Sequence, residues 1–268
     1  MKLAVSNILW GNVDPTPYLE LIAMNGCHGV ELAPSVFWKE PVDASKEERN
    51  KVRCLIEGYG LKIVSLHALL YTRTDLTIFQ DNGLRERTKD YLYQLGCLSR
   101  DMGCPLMVLG SPRNRARGEL ADSEADKIAI EFFSSLSEKL SATGVVLCIE
   151  PLSKLEADFI TKTSEGLRLV NAVNHPNFRL MFDAKSLHLE QENYRQAVKK
   201  CFGYLEHVHV NDPGNSPLES KGVDHRAFGE ALKYYGYDGV VSLEVGRGFG
   251  DPIDVIRFCL EKMRKYYA

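Results

Sequence analysis

One pattern recurs through the 268-residue chain. An amphipathic helical stretch ends near a glycine, and a short, almost wholly apolar run follows. Gly26 precedes Gly29-Val30-Glu31-Leu32, and Gly60 precedes the run 61–66. Gly103, Gly144 and Gly236 stand in the same way before 105–109, 145–149 and 240–243. Glycine suits the position after a helix because positive φ costs it little. Runs that are apolar throughout, rather than alternating, mark strands covered on both faces. The pattern predicts helices over 16–25, 45–58, 83–102, 123–142, 163–173, 192–203, 225–235 and 252–266. It predicts strands near 2–9, 28–33, 61–67, 105–110, 144–149, 178–183, 205–210 and 239–244. Ser45 with Glu48 reads as a capping box, Asp122 or Ser123 as a helix opening, and Asp251-Pro252 as an N-cap with proline at N1.

Strict alternation of eight strands and eight helices implies parallel strands joined by crossover helices. Eight such units close an α/β barrel of the (β/α)8 type, and 1–268 is expected to form one such domain. An open doubly wound sheet is the alternative. The structure-poor stretches 34–44, 68–82, 111–121 and 211–223 each follow a strand and so gather at one rim, where barrel enzymes keep their active sites.

Composition narrows the function. Hydrophobic residues are 44% and charged residues 26%, with net charge −3, which gives no electrostatic footprint for nucleic acid or an anionic membrane. Met1 leads directly into a β-prone segment with no signal-like region and no span-length apolar run, so a cytoplasmic location is expected. Seven scattered cysteines without a C-x-x-C pair fit free thiols in a reducing compartment.

Four polar residues close the apolar runs of the second half: Glu150, Asp183, His209 and Glu244. Neighbouring parallel strands lie about 4.8 Å apart, so successive strand ends bring these side chains to one side of the mouth. Three crowded carboxylates repel one another, and a divalent cation relieves that repulsion. Oxygen-rich ligands with one imidazole suit Mn²⁺ or Mg²⁺, with Mn²⁺ placed first and Co²⁺, Fe²⁺ or Zn²⁺ as alternatives.

The chain resembles the xylose isomerase-like TIM-barrel superfamily, and within it the sugar phosphate isomerase/epimerase and ketose 3-epimerase group. The resemblance runs over nearly the whole chain. Its pieces are Gly-Val-Glu-Leu-Ala-Pro at 29–34, His67, Gly-Ser-Pro-Arg-Asn-Arg at 110–115, Ile-Glu-Pro-Leu at 149–152, Glu156-Ala-Asp-Phe-Ile, Phe182-Asp183, His207-Val-His-Val-Asn-Asp, Gly236-Tyr-Asp-Gly and Ser242-Leu-Glu-Val. It implies metal ligation by Glu150, Asp183, His209 and Glu244, proton exchange by Glu150 and Glu244, and a substrate contact at Glu156. The implied activity is a metal-dependent sugar isomerase or epimerase working through an enediolate. A dehydratase of the inosose or dehydroshikimate type, on the same scaffold, is the alternative. The implied partner is a small sugar or polyol, with a homo-oligomer as one expected assembly.

Two positions depart from that group. Its epimerases carry a histidine where Ser186 stands and an arginine where Asn215 stands. His188 and Lys185 are expected to take over substrate contacts after strand six, with Lys221 or Arg247 as replacements for the arginine. His67 is expected either to meet substrate hydroxyls or to make a structural hydrogen bond, and Glu31 to play a polar role at the mouth. His207 is expected to point opposite to His209 and to pack between strand and helix. Arg113, Arg115 and Arg117 form a basic loop, read as a solvated loop or subunit contact ahead of an anion site. Trp10, Phe37 and Trp38 are read equally as pocket walls or as core. His28, His175 and His225 have no partner legible in the sequence.

Overall fold

A computed structural model describes residues 1–268. Its strands are β1 (Lys2–Ser6), β2 (Gly29–Leu32), β3 (Lys62–Leu66), β4 (Leu106–Leu109), β5 (Val146–Ile149), β6 (Phe178–Asp183), β7 (Leu205–Val210) and β8 (Val240–Leu243). All eight are parallel, each pairs with the next, and β8 closes against β1. The closed barrel rules out the open sheet.

The helices are α1 (Thr16–Met24), α2 (Lys46–Glu57), α3 (Asn82–Asp101), α4 (Asp122–Ser141), α5 (Thr163–Val173), α6 (Ala184–Leu189), α7 (Tyr194–Cys201), α8 (His225–Tyr234) and α9 (Pro252–Tyr267). Local chemistry explains most ends. Ser45 and Glu48 form the reciprocal box that opens α2, and Asp251 caps α9 ahead of Pro252. α9 packs beside α1, as closure of the ring requires. No helix is long and apolar enough to cross a membrane.

Three details differ from the sequence expectation. β1 stops at Ser6, because the Ser6 hydroxyl accepts the Ile8 amide and turns the chain into a short 3-10 segment. α4 is preceded by Ala121, with no side-chain cap. A ninth helix, α6, starts directly after Asp183, whose carboxylate accepts the Ser186 amide as its cap.

Side-chain alternation along each strand separates two layers. Met107, Leu109, Leu147, Ile149, Leu180 and Phe182 face the helices and join the main core. Leu106, Val108, Cys148 and Met181 form a small apolar cluster of their own. Glu150 and Asp183 stand two residues beyond Cys148 and Met181, and therefore on the same face as that cluster.

Candidate metal centre

The strand-end residues converge. Glu150, Asp183, His209 and Glu244 each offer a ligand atom, and these atoms lie within 4.8 Å of one another. They come from four consecutive strands. Register places Asp183 opposite His209, and His209 opposite Ser242, with Glu244 two residues further on, just past the end of β8. Asp183 and His209 are fully buried, and Glu150 nearly so.

The imidazole of His209 is held from both sides. Its Nδ1 lies 3.2 Å from Glu150 Oε1 and 3.4 Å from Glu244 Oε2. Its Nε2 donates to Glu31 Oε1 at 2.9 Å. A carboxylate on one ring nitrogen fixes the tautomer and leaves the other nitrogen free to ligate. Burial alone would lower the His209 pKa, but Glu31, Glu244 and Glu150 raise it well above the usual histidine range. Burial likewise raises the Glu150 carboxyl, against the opposing pull of His209. Glu244 is lowered, because His209 and His67 outweigh its burial. A cluster of carboxylates buried in this way could hold a cation. Three carboxylates and an imidazole with its second nitrogen tied fit a divalent ion with a preference for oxygen ligands.

Glu31 does not stand at the mouth. It is fully buried and accepts from Ser65 at 2.7 Å, from His207 and His209, and from Ser242 at 3.0 Å. His207 corrects the expectation made for it. Strand alternation has a period of two, so His207 and His209 share a face. The two rings meet edge to face with centroids 5.1 Å apart. The same parity puts Asn211 with them, a residue the sequence reading passed over. Asn211 Nδ2 donates to Asp183 Oδ2 at 3.0 Å and to Glu244 Oε2 at 3.1 Å. His67 belongs to the same network, with one nitrogen 2.7 Å from Ser6 Oγ and the other 3.2 Å from Glu244 Oε1.

Above the carboxylates a cavity of about 360 Å³ opens at the rim, with His67, Glu150, Glu156, Lys185, Asn215 and Glu244 in its wall. Lys185 is almost wholly buried, its Nζ 3.2 Å from Asp183 Oδ2 and 3.5 Å from Glu156 Oε2. Burial would neutralise it, yet Asp183, Glu244 and Glu156 hold it strongly charged. Asn215 reaches Glu244 Oε2 at 3.4 Å from a left-handed backbone, φ 51°.

Most other candidates fall outside this wall. His188 lies in the last turn of α6, three residues or about 4.5 Å of helical rise beyond Lys185. Lys221 and Arg247 are not in the wall either; Arg247 lies over Gly11. Trp10 is buried and stacks on Tyr18 at 5.0 Å, and Phe37 and Trp38 pack against the core. Arg115 is buried and donates to the carbonyls of Gly110, Glu150 and Phe159. Arg117 binds Asp158, while Arg113 lines the cavity. His225 does have partners, Asp212 Oδ1 at 2.8 Å and the Tyr267 hydroxyl at 2.7 Å.

The family model described as xylose isomerase-like TIM barrel matches residues 19–266. A D-psicose 3-epimerase of Ruminiclostridium cellulolyticum is 29% identical over 134 residues, which cover 48% of this chain and 45% of that enzyme. The chain thus aligns with less than half the length of that relative. An L-ribulose 3-epimerase of Methylomonas sp. is 25% identical over 232 residues, covering 83% of this chain and 75% of that enzyme. The crystal structure of the 3-keto-D-glucoside 4-epimerase of E. coli superposes with TM-score 0.81 at 19% identity, covering 99% of both chains. At that identity the superposition speaks for the fold alone.

Proposed function

We propose that this chain, which belongs to the xylose isomerase-like TIM-barrel family, is an isomerase-class enzyme: a divalent-metal-dependent epimerase or isomerase of a ketose or related sugar. The observation that carries the reading is geometric. Two carboxylates of the four-residue cluster, Glu150 and Glu244, also line the cavity where a substrate would sit.

The chemistry follows from what such a reaction needs. A C–H beside a carbonyl is too weakly acidic for a carboxylate to deprotonate unaided. A divalent cation bound by Glu150, Asp183, His209 and Glu244, with Mn²⁺ as first choice, would act as Lewis acid and stabilise an enediolate. Glu150 and Glu244 would then work as the pair that removes a proton from one face and returns one to the other. Lys185, held charged between Asp183 and Glu156, would donate to a substrate oxygen. Glu156 and His67 would take hydroxyls at the cavity wall.

The same constellation serves a dehydratase if loss of a hydroxyl follows proton removal. Ser186 and Asn215, where ketose epimerases of the resembling group carry histidine and arginine, keep that second reading open. One experiment separates the two. The Mn²⁺-loaded protein is incubated in D₂O with a panel of ketoses and the products are analysed by mass spectrometry and NMR. An epimerase places deuterium at the carbon next to the carbonyl, unless the abstracted proton returns before it exchanges with solvent; the inverted sugar then still appears. A product one water lighter refutes the epimerase reading in favour of the lyase. Glu150→Gln and Glu244→Gln should each lower turnover by about 10²–10⁴-fold while part of the metal binding survives. Full turnover in both variants refutes the two-carboxylate mechanism.

A further inference from the structure

The cavity wall holds three cationic or potentially cationic side chains, and two of them have carboxylate partners. His67 faces Glu244, and Lys185 faces Asp183 and Glu156. Arg113, the third, is exposed and makes neither an ion pair nor a hydrogen bond within the chain. The polar side chains that follow it in the loop after β4 are committed. Asn114 donates to the carbonyls of Arg73 and Leu76 and accepts the Ile78 amide. The buried Arg115 ties the loop to Gly110, Glu150 and Phe159, and Arg117 is held by Asp158. Two of the three arginines are therefore anchors, and the segment carrying Arg113 is pinned from both sides.

That segment is held at a cost. Ser111 has a left-handed backbone at φ 38°, and its hydroxyl is buried without a partner. Strain and an unsatisfied buried group persist where the surroundings over-determine them, and they gather at ligand sites. The result is a guanidinium on a rigid base, at the wall of a cavity whose floor is the carboxylate cluster. At about 360 Å³ the cavity is in the usual size range of small-ligand sites. A neutral hydroxyl needs no fixed positive charge. A phosphate or carboxylate does, and the arginine fork matches either with two parallel hydrogen bonds.

We propose that Arg113 is the anion-recognition residue of this site, so that the substrate is a ketose bearing a phosphate or carboxylate at the end remote from the reacting carbons. This rests on the sugar-epimerase reading and narrows its substrate class. Charge-assisted bonds to one anion correspond to roughly 10- to 100-fold in affinity.

The test uses the full-length Mn²⁺-loaded protein with D-fructose, D-fructose 6-phosphate and D-fructuronate. Solvent deuterium uptake and product inversion give kcat/KM, and calorimetry gives the dissociation constant of each sugar. Wild type should favour one of the anionic sugars over fructose by at least tenfold, mainly through KM. The phosphate and the uronate arms show which anion it is. Arg113→Gln should bring that ratio close to one, and Arg113→Lys should restore part of it. A wild-type ratio near one, or a ratio unchanged in Arg113→Gln, overturns the proposal. If none of the sugars turns over, the epimerase reading loses its support, and the calorimetric ratio still decides the anion site by the same criterion.

Discussion

Replacing Glu31 by Gln tests whether a residue that never touches the cavity controls the metal centre. Glu31 is fully buried, and its Oε1 takes N–H groups from His207 and His209 and the Ser65 hydroxyl, while Oε2 takes Ser242. Glutamine keeps the shape. Its carbonyl oxygen can occupy the Oε1 position, and its NH₂ can face Ser242, whose hydroxyl can turn to accept. What is lost is the charge. Hydrogen bonds to a charged group contribute about 1.5–3 kcal/mol against about 0.5–1.5 kcal/mol for neutral ones. The single His209 bond should therefore weaken by about 1–1.5 kcal/mol, or roughly tenfold in metal affinity. That is at the low end of the 10–100-fold range typical of such supporting contacts. The assay is Mn²⁺ titration followed by electron paramagnetic resonance, alongside far-UV circular dichroism to show that the barrel is intact. NMR of metal-free ¹⁵N-histidine protein adds a readout independent of activity, because the His209 imidazolium loses the Glu31 charge that raises its pKa and should titrate at lower pH. A folded Glu31→Gln protein with wild-type Mn²⁺ affinity and an unchanged His209 titration would falsify the claim that Glu31 supports His209.

Two further predictions rest on other parts of the fold. A Cβ built at Gly110 would lie 2.2 Å from Glu150 Oε2, so Gly110→Ala must push that carboxylate aside. kcat/KM should fall by about 100-fold, within the worth of a general acid–base group, with little change in melting temperature; a fully active variant would show that Glu150 has room to spare. Asp212 lies in a buried chain with His225 and Tyr267 that ties the end of α9 to the loop after β7. Burial favours a raised Asp212 pKa, but hydrogen bonds from His225 and the Lys221 and Val223 amides outweigh it, and the net shift is downward. The stabilisation is therefore fully present above the unfolded value of about 3.9 and is lost as pH falls through the lower folded value. Asp212→Asn should cost about 1.5–3 kcal/mol at pH 7 and less near pH 3, measured by urea unfolding; an equal cost at both pH values would refute this account.

How far the chain can be read without its structure depends on the range of the forces involved. Helix ends, capping residues and apolar runs are decided within a few residues, so the eight repeats, their order and the closing pair of β8 with β1 were all legible. The positions of Glu150, Asp183, His209 and Glu244 were legible for a related reason. Each ends a strand, and strand ends of a closed barrel must meet. Parity along β7 is a backbone property of the same kind; it sets His207, His209 and Asn211 on one face, rather than His207 opposite to His209. Contacts across the ring were not. Glu31 and His209 are 178 positions apart, and nothing local to either tells that one holds the other. Three arginines in Arg113-Asn114-Arg115-Ala116-Arg117 look alike as a string. Only packing distinguishes Arg115, buried on three carbonyls, from Arg113, whose charge is unmatched at the cavity wall. Periodicity is a property of the backbone and survives in sequence. Which polar groups satisfy one another is settled when the barrel closes and water leaves its interior.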